Sequence, residues 1–202
     1  MHTLTMPLSD ETIRSLKVGD SVALNGVMVT GRDTVHKWMV DTFIKKTRQP
    51  QGDDLEVYEA IKPLLAGSVI YHCGPVVGGL DTKQYRFVAA GPTTSIREEP
   101  YQGLVMDHFK IKGVIGKGGM GARTLKACQE VPGVYLHAIG GAASLIAQTV
   151  TRVLGVYKYD FGVPEAMWVI EVKDFPVVVI NDMYGGDLYV EGRRKYERKG
   201  DS

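Results

Sequence analysis

Cysteine is scarce in this sequence of 202 residues. The chain has two, Cys73 and Cys128, which lie far apart and without Cys-x-x-Cys spacing. So few thiols exclude a disulfide framework and a zinc site built by this chain alone. They also exclude an iron–sulfur cluster held only by this chain, since such a cluster normally takes three or four thiolates. Both cysteines are therefore interpreted as small core residues.

Charge of one sign and long apolar runs are also missing. The formal net charge is +1, so no strong field draws the chain to nucleic acid or to an anionic membrane. No apolar run approaches membrane-spanning length, and the start, "MHTLTMPLSDETIRSL", lacks the basic and then apolar layout of a signal peptide. The sequence thus predicts a cytoplasmic protein.

The composition that remains is that of an ordinary globular protein, with 44% apolar and 23% charged residues. The length suffices for one domain with a real core. No internal repeat or low-complexity linker divides the chain. We predict a single domain over residues 1–195 and a solvated or disordered tail over residues 196–202.

The hydrophobic pattern predicts an α/β fold with a β-rich N-terminal part. Asn25-Gly26 favours a tight turn between two short strands. From about residue 68 onward, predicted strands alternate with helices, as in α/β domains. The predicted helices are "LSDETIRSL", capped at Ser9 or Asp10, "RDTVHKWMVDTFIKK", "YQGLVMDHFKI", "ARTLKACQEV" and "AASLIAQTVTRVL". The predicted later strands are "SVIYHCGPVV", "QYRFVAAG", "GVIG", "GVYLHAIGG", "AMWVIEVKDF" and "FPVVVIND".

Three predicted strand-to-helix loops carry cations or hydroxyl groups. They are "TGRDTVHK" with Arg32, "GPTTSIR" with Thr93, Thr94 and Arg97, and "IGKGGMG" with Lys117. Such loops lie at the carboxyl ends of strands, where ligands of α/β proteins usually bind. Helix N-termini and glycine-rich backbone suit phosphate or carboxylate, and an arginine grips a carboxylate through paired hydrogen bonds. The pattern indicates a site for a small dianion.

Each of these features also has a plainer interpretation. Arg32 and Asp33 could be a helix start with a surface ion pair. Thr93 and Thr94 could be an N-cap and its neighbour. The isolated histidines are usually structural or surface groups; they are His36, His72, His108 and His137.

The glycine loop does not predict a nucleotide site. "GKGGMG" fits G-x-G-x-x-G between a strand and a helix, but a dinucleotide fold also requires an acid near the end of the next strand. That strand, "GVYLHAIGG", contains no Asp or Glu, and the Walker pattern is absent.

Four segments in order carry a family resemblance: "VGDSVALNGVMVTGRDTVHK", "IYHCGPVV", "GPTTSIR" and "VIGKGGMG". They resemble the β subunit of two-subunit class I fumarate hydratases and L-tartrate dehydratases. Single-chain enzymes of this family carry the same region as their C-terminal domain. The similarity extends from about Leu8 to past Val190.

The resemblance implies a swivelling β/β/α three-layer domain and a partner α subunit. That partner would hold a 4Fe-4S cluster on three cysteines, with an open iron that binds the substrate carboxylate and hydroxyl as a Lewis acid. The implied reaction is the reversible removal of water from a dicarboxylic acid. This chain would hold no metal itself. The implied assembly is an α2β2 heterotetramer, with a homodimer as an alternative for the isolated chain.

The resemblance also assigns roles to individual residues. Thr93 falls on the base that takes the proton from the carbon next to a carboxylate. Arg32, Arg97 and Lys117 fall on the clamp for the carboxylate distant from iron. A hydroxyl is a poor base at neutral pH, so Thr93 would need cationic neighbours and a dry site. Supporting positions are Thr94, Gly116, Gly118 and Gly119.

Three functions stay open at the level of the sequence. The leading interpretation is one subunit of fumarate hydratase, which interconverts L-malate and fumarate. The same clamp would serve L-tartrate, although the sequence does not identify a partner for its further hydroxyl. The third possibility is a non-catalytic module that binds an anion and regulates a partner.

Overall fold

The computed structural model describes residues 1–138 and 143–193. Strands and helices alternate through most of this chain. The strands are β1 (His2–Thr5), β2 (Ser21–Thr30), β3 (Val69–Tyr71), β4 (Val76–Gly78), β5 (Arg86–Ala89), β6 (Gly113–Gly116), β7 (Val134–Ala138), β8 (Val150–Tyr157) and β9 (Met167–Asn181). The α-helices are α1 (Asp10–Ser15), α2 (Asp33–Met39), α3 (Asp54–Leu65), α4 (Glu99–Phe109), α5 (Ala122–Glu130) and α6 (Ala143–Gln148). A π turn at Val40–Ile44 continues α2, and 3-10 turns lie at Ser95–Glu98 and Tyr159–Phe161.

A seven-stranded sheet in the order β1-β2-β3-β6-β7-β9-β8 closes on itself. Strands β2, β3, β6 and β7 are parallel neighbours, while β9 is antiparallel to both β7 and β2. Because β9 pairs with β2 and β7 along its length, these five strands form a barrel-like ring. The prediction of an α/β fold is confirmed. The three-layer swivelling arrangement stays a prediction.

Alternating side chains of the ring build two apolar clusters. Val69 and Tyr71 belong to one, whereas Ile70 between them belongs to the other. This two-residue period is the pleat of a strand with both faces buried. The first cluster also takes residues from α1, the β4–β5 ribbon and α6, and the second from α2, α3, α4 and α5.

The predicted turn at Asn25-Gly26 is wrong. Strand β2 runs through both residues, and its register against β9 shifts between Leu24 and Gly26. Gly26 has φ +102°, and the Asn25 Oδ1 accepts a hydrogen bond from the Asp174 N–H at 2.9 Å. The positive φ that favours Asn-Gly in hairpins here produces a bulge inside a long strand.

Two predictions in the C-terminal third are also wrong. Helix α6 ends at Gln148, and the following "VTRVLGVY" forms β8 against β9 instead of continuing the helix. The β-branched residues of this run favour a strand once a partner strand is available. The two strands predicted around Phe175 are one, β9, in which Asp174 adopts φ +53°.

The remaining segments follow the sequence more closely. Ser9 caps α1 by accepting a hydrogen bond from the Thr12 N–H, as predicted. Helix α3 was not singled out from the sequence, and it carries Pro63 inside its last turn. The predicted tail over residues 196–202 lies outside the described residues. Within residues 1–138 and 143–193, no helix is both long and apolar enough to cross a membrane.

Candidate active site

The segment that follows β5 is held against the carboxyl ends of two strands of the ring. The Thr93 N–H donates to the His72 carbonyl just after β3 at 2.8 Å. The Lys117 N–H donates to the Thr93 carbonyl at 3.2 Å, and the Ser95 N–H donates to the Lys117 carbonyl at 3.0 Å, just after β6. Strand β5 itself pairs only with β4, in a separate ribbon. The segment therefore reaches the site through these loop contacts and not as the continuation of a ring strand.

The two threonines of this segment differ in their surroundings. The Thr93 Oγ1 is buried and has no hydrogen-bonding partner among the described residues. Thr94 is exposed and precedes the 3-10 turn without a side-chain capping bond. Helix α4 begins only at Glu99, after that turn. Thr94 thus takes the N-cap position that the plainer interpretation gave to one of these threonines, but its side chain makes no capping bond.

Two arginines reach this region from different elements. Arg32 precedes α2, and its Nε lies 3.1 Å from the Glu165 Oε1. The Arg97 Nη2 donates to the Asp33 Oδ2 at 2.7 Å, which ties the 3-10 turn to the start of α2. Arg32 and Asp33 are thus paired with other residues and not with each other. Gly74 leaves room for the Arg32 guanidinium, since a Cβ there would lie 2.8 Å from Nη1.

Lys117 is the third predicted cation, and its side chain is exposed. It lines an open cavity of about 690 Å³ together with Thr94, Gly118 and Gly119. Both glycines have φ +80°, a conformation that other residues rarely adopt, so this loop depends on them. The structure thus brings Arg32, Thr93 and Lys117 to the same edge of the ring, with Arg97 beside them.

The N-terminus of α5, which follows the glycine loop, is not free for a ligand. The Glu99 carboxylate accepts hydrogen bonds from the N–H groups of Gly121, Arg123 and Thr124 at 2.8, 2.8 and 3.3 Å. It also accepts one from the Thr124 hydroxyl at 2.7 Å. The expectation that this helix N-terminus binds an anion is therefore wrong, because a side chain of the same protein already occupies it.

A chain of buried polar side chains lies directly beneath the Thr93 segment. The Tyr135 hydroxyl donates to the Ser95 Oγ at 3.0 Å. The Ser95 Oγ lies 2.8 Å from the His72 Nδ1, and the His72 Nε2 lies 2.7 Å from the Gln102 Oε1. Since the Gln102 oxygen can only accept, the His72 Nε2 is the donor there. The Nδ1 of a neutral imidazole then accepts from the Ser95 hydroxyl. The hydrogen bonds therefore all point the same way, from Tyr135 through Ser95 and His72 to Gln102.

Burial keeps this imidazole neutral. It lowers the pKa of His72 well below 6.5, and the neighbouring His36 lowers it further. The His36 ring meets the His72 ring edge-on at 5.1 Å, and burial lowers its pKa to about 4. The His36 Nδ1 lies 2.8 Å from the Arg32 carbonyl. Both histidines are structural groups, as their plainer interpretation predicted, and both support the site.

Glu98 is a carboxyl group at the same depth. It is 1% exposed, and its Oε2 lies 3.9 Å from the His72 Nδ1. Burial raises the pKa of Glu98 to about 7, with a further contribution from Asp33, while Arg97 and Arg32 oppose the rise. A carboxyl group that titrates near neutral pH under a candidate site is the pattern of acid–base centres.

The described residues do not supply a set of ligands for a metal centre. No group of three or more His, Cys, Asp or Glu side chains in them could hold an ion. Cys73 and Cys128 are both buried, and burial raises the pKa of each thiol to about 12. The cysteines are core residues, as predicted.

Comparison with known proteins identifies the family. Residues 2–192 match the family described as Fumarase C-terminus. The chain belongs to this fumarase C-terminus family. The resemblance that the loop motifs carry is therefore confirmed over nearly the whole sequence.

Two relatives of this family member show how its length compares. A protein of Geobacillus stearothermophilus named "Putative fumarate hydratase class I" is 49% identical over 187 residues, which are 93% of this chain and 33% of that protein. The L(+)-tartrate dehydratase subunit beta of Escherichia coli (strain K12) is 32% identical over 199 residues, 98% of this chain and 91% of that subunit. The chain thus spans a third of the first relative and nearly all of the second.

The buried layer of this fumarase-type site was not predicted from the sequence as a functional feature. Its members are His72, Ser95, Glu98, Gln102 and Tyr135. His72 follows an apolar strand and Gln102 stands inside a helix, where a single polar residue resembles any surface position. The sequence carries one indirect sign of this layer, Gly116. A larger residue does not fit there, since a Cβ would lie 1.7 Å from the Ser95 Oγ.

Proposed function

We propose that this chain is the β subunit of an iron–sulfur hydro-lyase, with fumarate hydratase as its activity. The observation that carries the proposal is the buried, unpartnered hydroxyl of Thr93 at an edge of the ring where Arg32, Arg97 and Lys117 also lie. A polar atom enclosed without a partner is costly, so its presence points to a bound group that completes it.

In this proposal, the cations hold the carboxylate on the side of this chain. Asp33 and Glu165 fix the guanidinium groups of Arg97 and Arg32, so less freedom is lost when a substrate binds. Thr93 takes the proton from the adjacent carbon. The 4Fe-4S cluster, carried by an α subunit, supplies Lewis-acid help at the departing hydroxyl. The α2β2 assembly and the cytoplasmic location expected from the sequence are parts of the same proposal.

The choice of fumarate and malate over tartrate is supported by one comparison. The relative with 49% identity bears the name of a fumarate hydratase, whereas the tartrate dehydratase subunit shares 32%. Tartrate dehydratase is the second candidate, because that subunit matches this chain over almost its full length. A non-catalytic anion-binding module is not favoured, since both relatives bear the names of enzymes.

The direct test is turnover of the chain reconstituted with its α subunit against malate, fumarate and L-tartrate. We expect conversion of malate and fumarate, and a colourless, inactive preparation of this chain alone. Turnover of tartrate only would select the second candidate. No turnover of any of the three by an iron-loaded pair would reject the hydro-lyase.

The clamp is tested in the same pair with Lys117→Ala and Arg97→Ala. Each variant should raise KM, by about 10-fold to 100-fold for Lys117, because a charge-assisted hydrogen bond to the carboxylate is lost. The control is Lys126→Ala, an exposed lysine whose partner is Glu130 on the same helix, at 3.4 Å. Unchanged KM in both clamp variants would remove these residues from the site.

A further inference from the structure

Seven buried side-chain atoms have no hydrogen-bonding partner within residues 1–138 and 143–193, and they belong to one region. That region is joined by the Arg32–Glu165 and Arg97–Asp33 pairs and by the edge-on contact of His36 with His72. Buried polar atoms without protein partners are usually bridged by enclosed water. The seven are Arg32 Nε, Asp33 Oδ1, His36 Nε2, Thr93 Oγ1, Glu98 Oε2, Gln102 Nε2 and Glu165 Oε2. The Arg32 Nε lies 3.1 Å from the Glu165 Oε1, but not at a hydrogen-bonding angle.

A threonine that removes a proton from carbon must pass on its own hydroxyl proton. An alcohol is a far weaker acid than any group that is charged at neutral pH, so a free alkoxide would not be populated. The hydroxyl proton therefore needs an acceptor below Thr93 whose pKa lies near neutral pH.

The hydrogen bonds of the buried layer exclude most of the candidates for this acceptor. Both nitrogens of His72 are occupied, by Ser95 and Gln102. The Tyr135 hydroxyl already carries a proton and donates it to Ser95. His36 has a free Nε2, but burial lowers its pKa to about 4, so it holds a proton poorly. Of the carboxyl groups with a buried, unpartnered oxygen, Asp33 and Glu165 each pair with an arginine. Among the described residues of this region, Glu98 is the carboxyl group that remains.

We propose that Glu98 accepts the hydroxyl proton of Thr93 through enclosed water. The inference rests on the proposed function. In the dehydration direction the substrate C–H bond breaks and its proton goes to the Thr93 Oγ, while the Thr93 hydroxyl proton passes by water to the Glu98 carboxylate. The electron pair left on carbon forms the double bond as the neighbouring C–O bond breaks. The hydroxyl leaves with that bond's electrons and becomes water by taking a proton from a general acid of the partner subunit.

The charges around Glu98 set how it responds to pH. Arg32 and Asp33 face it from the start of α2, Arg97 from its own turn, His72 from the end of β3, and Tyr135 from β7. Dehydration needs the carboxylate of Glu98, so kcat should rise with pH through about 7. Hydration runs the same steps backwards and needs the carboxylic acid, so kcat should fall over the same interval.

The kinetic test compares wild type with Glu98→Gln in the reconstituted pair, in both directions and across this pH range. We expect kcat of Glu98→Gln to fall by about 100-fold or more, since a positioned acid or base contributes that much. The rising limb of kcat against pH in dehydration and the falling limb in hydration should both disappear. Glu98→Asp keeps a carboxyl group and should retain both limbs at a lower rate. Glu130→Gln, at an exposed carboxylate of α5, should match wild type. Limbs that persist unchanged in Glu98→Gln would overturn the proposal.

A second measurement does not depend on turnover. In urea unfolding of the full chain, folded Glu98 binds a proton between its ordinary pKa of 4.5 and about 7, and unfolded Glu98 does not. Linkage then requires wild type to lose stability relative to Glu98→Gln as pH rises through this window. A pH-independent difference would overturn the proposal even in an active enzyme. An inactive wild-type pair would reject the proposed function, whatever Glu98 does.

Discussion

Thr93 and Thr94 are adjacent in the sequence, yet only one hydroxyl is enclosed. The Thr93 Oγ1 is buried and unpartnered, while Thr94 is exposed and makes no side-chain capping bond. We predict that Thr93→Val lowers kcat by about 10²–10⁴, the usual contribution of a positioned acid or base, with little change in KM. Thr93→Ser should keep part of the activity, because the hydroxyl remains.

The measurement is kcat of each variant with the cluster content checked in each reconstituted complex. Thr94→Val is the matched control and should behave like wild type in both kcat and stability. Normal turnover in Thr93→Val with a dead Thr94→Val would place the base one residue later. Normal turnover in both would move the proton acceptor to the partner subunit.

Gly116 is a second residue whose role can be tested alone. A Cβ there would lie 1.7 Å from the Ser95 Oγ and 3.2 Å from the His72 Nδ1. We predict that Gly116→Ala destabilises the chain by about 1–3 kcal/mol through overpacking and breaks the Tyr135–Ser95–His72 chain. Urea unfolding measures the first effect.

Two further variants separate the clash from the general cost of a methyl group. Ser95→Ala in the Gly116→Ala background removes the clashing oxygen and should restore part of the stability, but not the hydrogen-bonded chain. Gly155→Ala in β8 is the control, since nothing lies within 4 Å of the added Cβ. Equal effects of Gly116→Ala and Gly155→Ala would show that Ser95 does not need the space.

At the scale of elements, one carboxylate joins α4 to α5. Glu99 lies in the first turn of α4 and satisfies three N–H groups at the start of α5. We predict that Glu99→Gln costs about 1–2 kcal/mol of unfolding free energy, because charge-assisted bonds at a helix N-terminus are weakened. Chemical denaturation checks this against Glu130→Gln. Identical midpoints for the two variants would contradict the capping role.

The elements differ in how well the sequence predicts them. Helix α1 and the strand–glycine loop–helix around Lys117 follow from local signals, a Ser9 cap and glycines at positive φ. The continuity of β9 depends on β2, which is far away in the sequence, so a local pattern cannot reveal it. Strand β8 pairs with the nearby β9, and its apolar run has a pattern that a helix would also fit.

The candidate site divides in a similar way. Arg32, Thr93, Arg97 and Lys117 stand in recognisable loop motifs, and the structure brings their elements to one edge of the ring. Glu98 and Gln102 are buried beneath this edge, which the order of polar and apolar residues in the 3-10 turn and α4 does not reveal. The role of Glu99 is the clearest feature that the sequence did not predict. Its carboxylate caps α5, and this depends on how α4 and α5 pack against each other.

At the scale of the whole molecule, buried neutral histidines make the fold sensitive to acid. Unfolded imidazoles bind a proton near pH 6.5, whereas the pKa of folded His36 is about 4 and burial holds the pKa of folded His72 well below 6.5. From these two imidazoles the unfolded state therefore binds more protons in this window, and the raised pKa of buried Glu98 offsets one of them. We predict that the free energy of unfolding falls as pH drops below about 6.5, by about 1.4 kcal/mol per pH unit for each such group.

Urea unfolding at a series of pH values measures this slope. His36→Leu should reduce the slope by the contribution of one proton, about 1.4 kcal/mol per pH unit. His2→Gln, at an exposed histidine beside Asp20, should leave the slope unchanged. A slope in His36→Leu equal to that of wild type would show that this imidazole is already charged in the folded protein.

The ring that β9 closes also sets the order of events while the chain is being made. Strand β2 ends at Thr30, but its antiparallel neighbour β9 begins only at Met167. One edge of β2 therefore stays unpaired until β9 has been synthesised. At about 5–20 residues per second, this wait is on the order of ten seconds. A nascent chain that stalls before β9 has an open ring with unpaired edges on β2 and β7. We expect such a chain to expose these edges to proteases and chaperones until β9 is made.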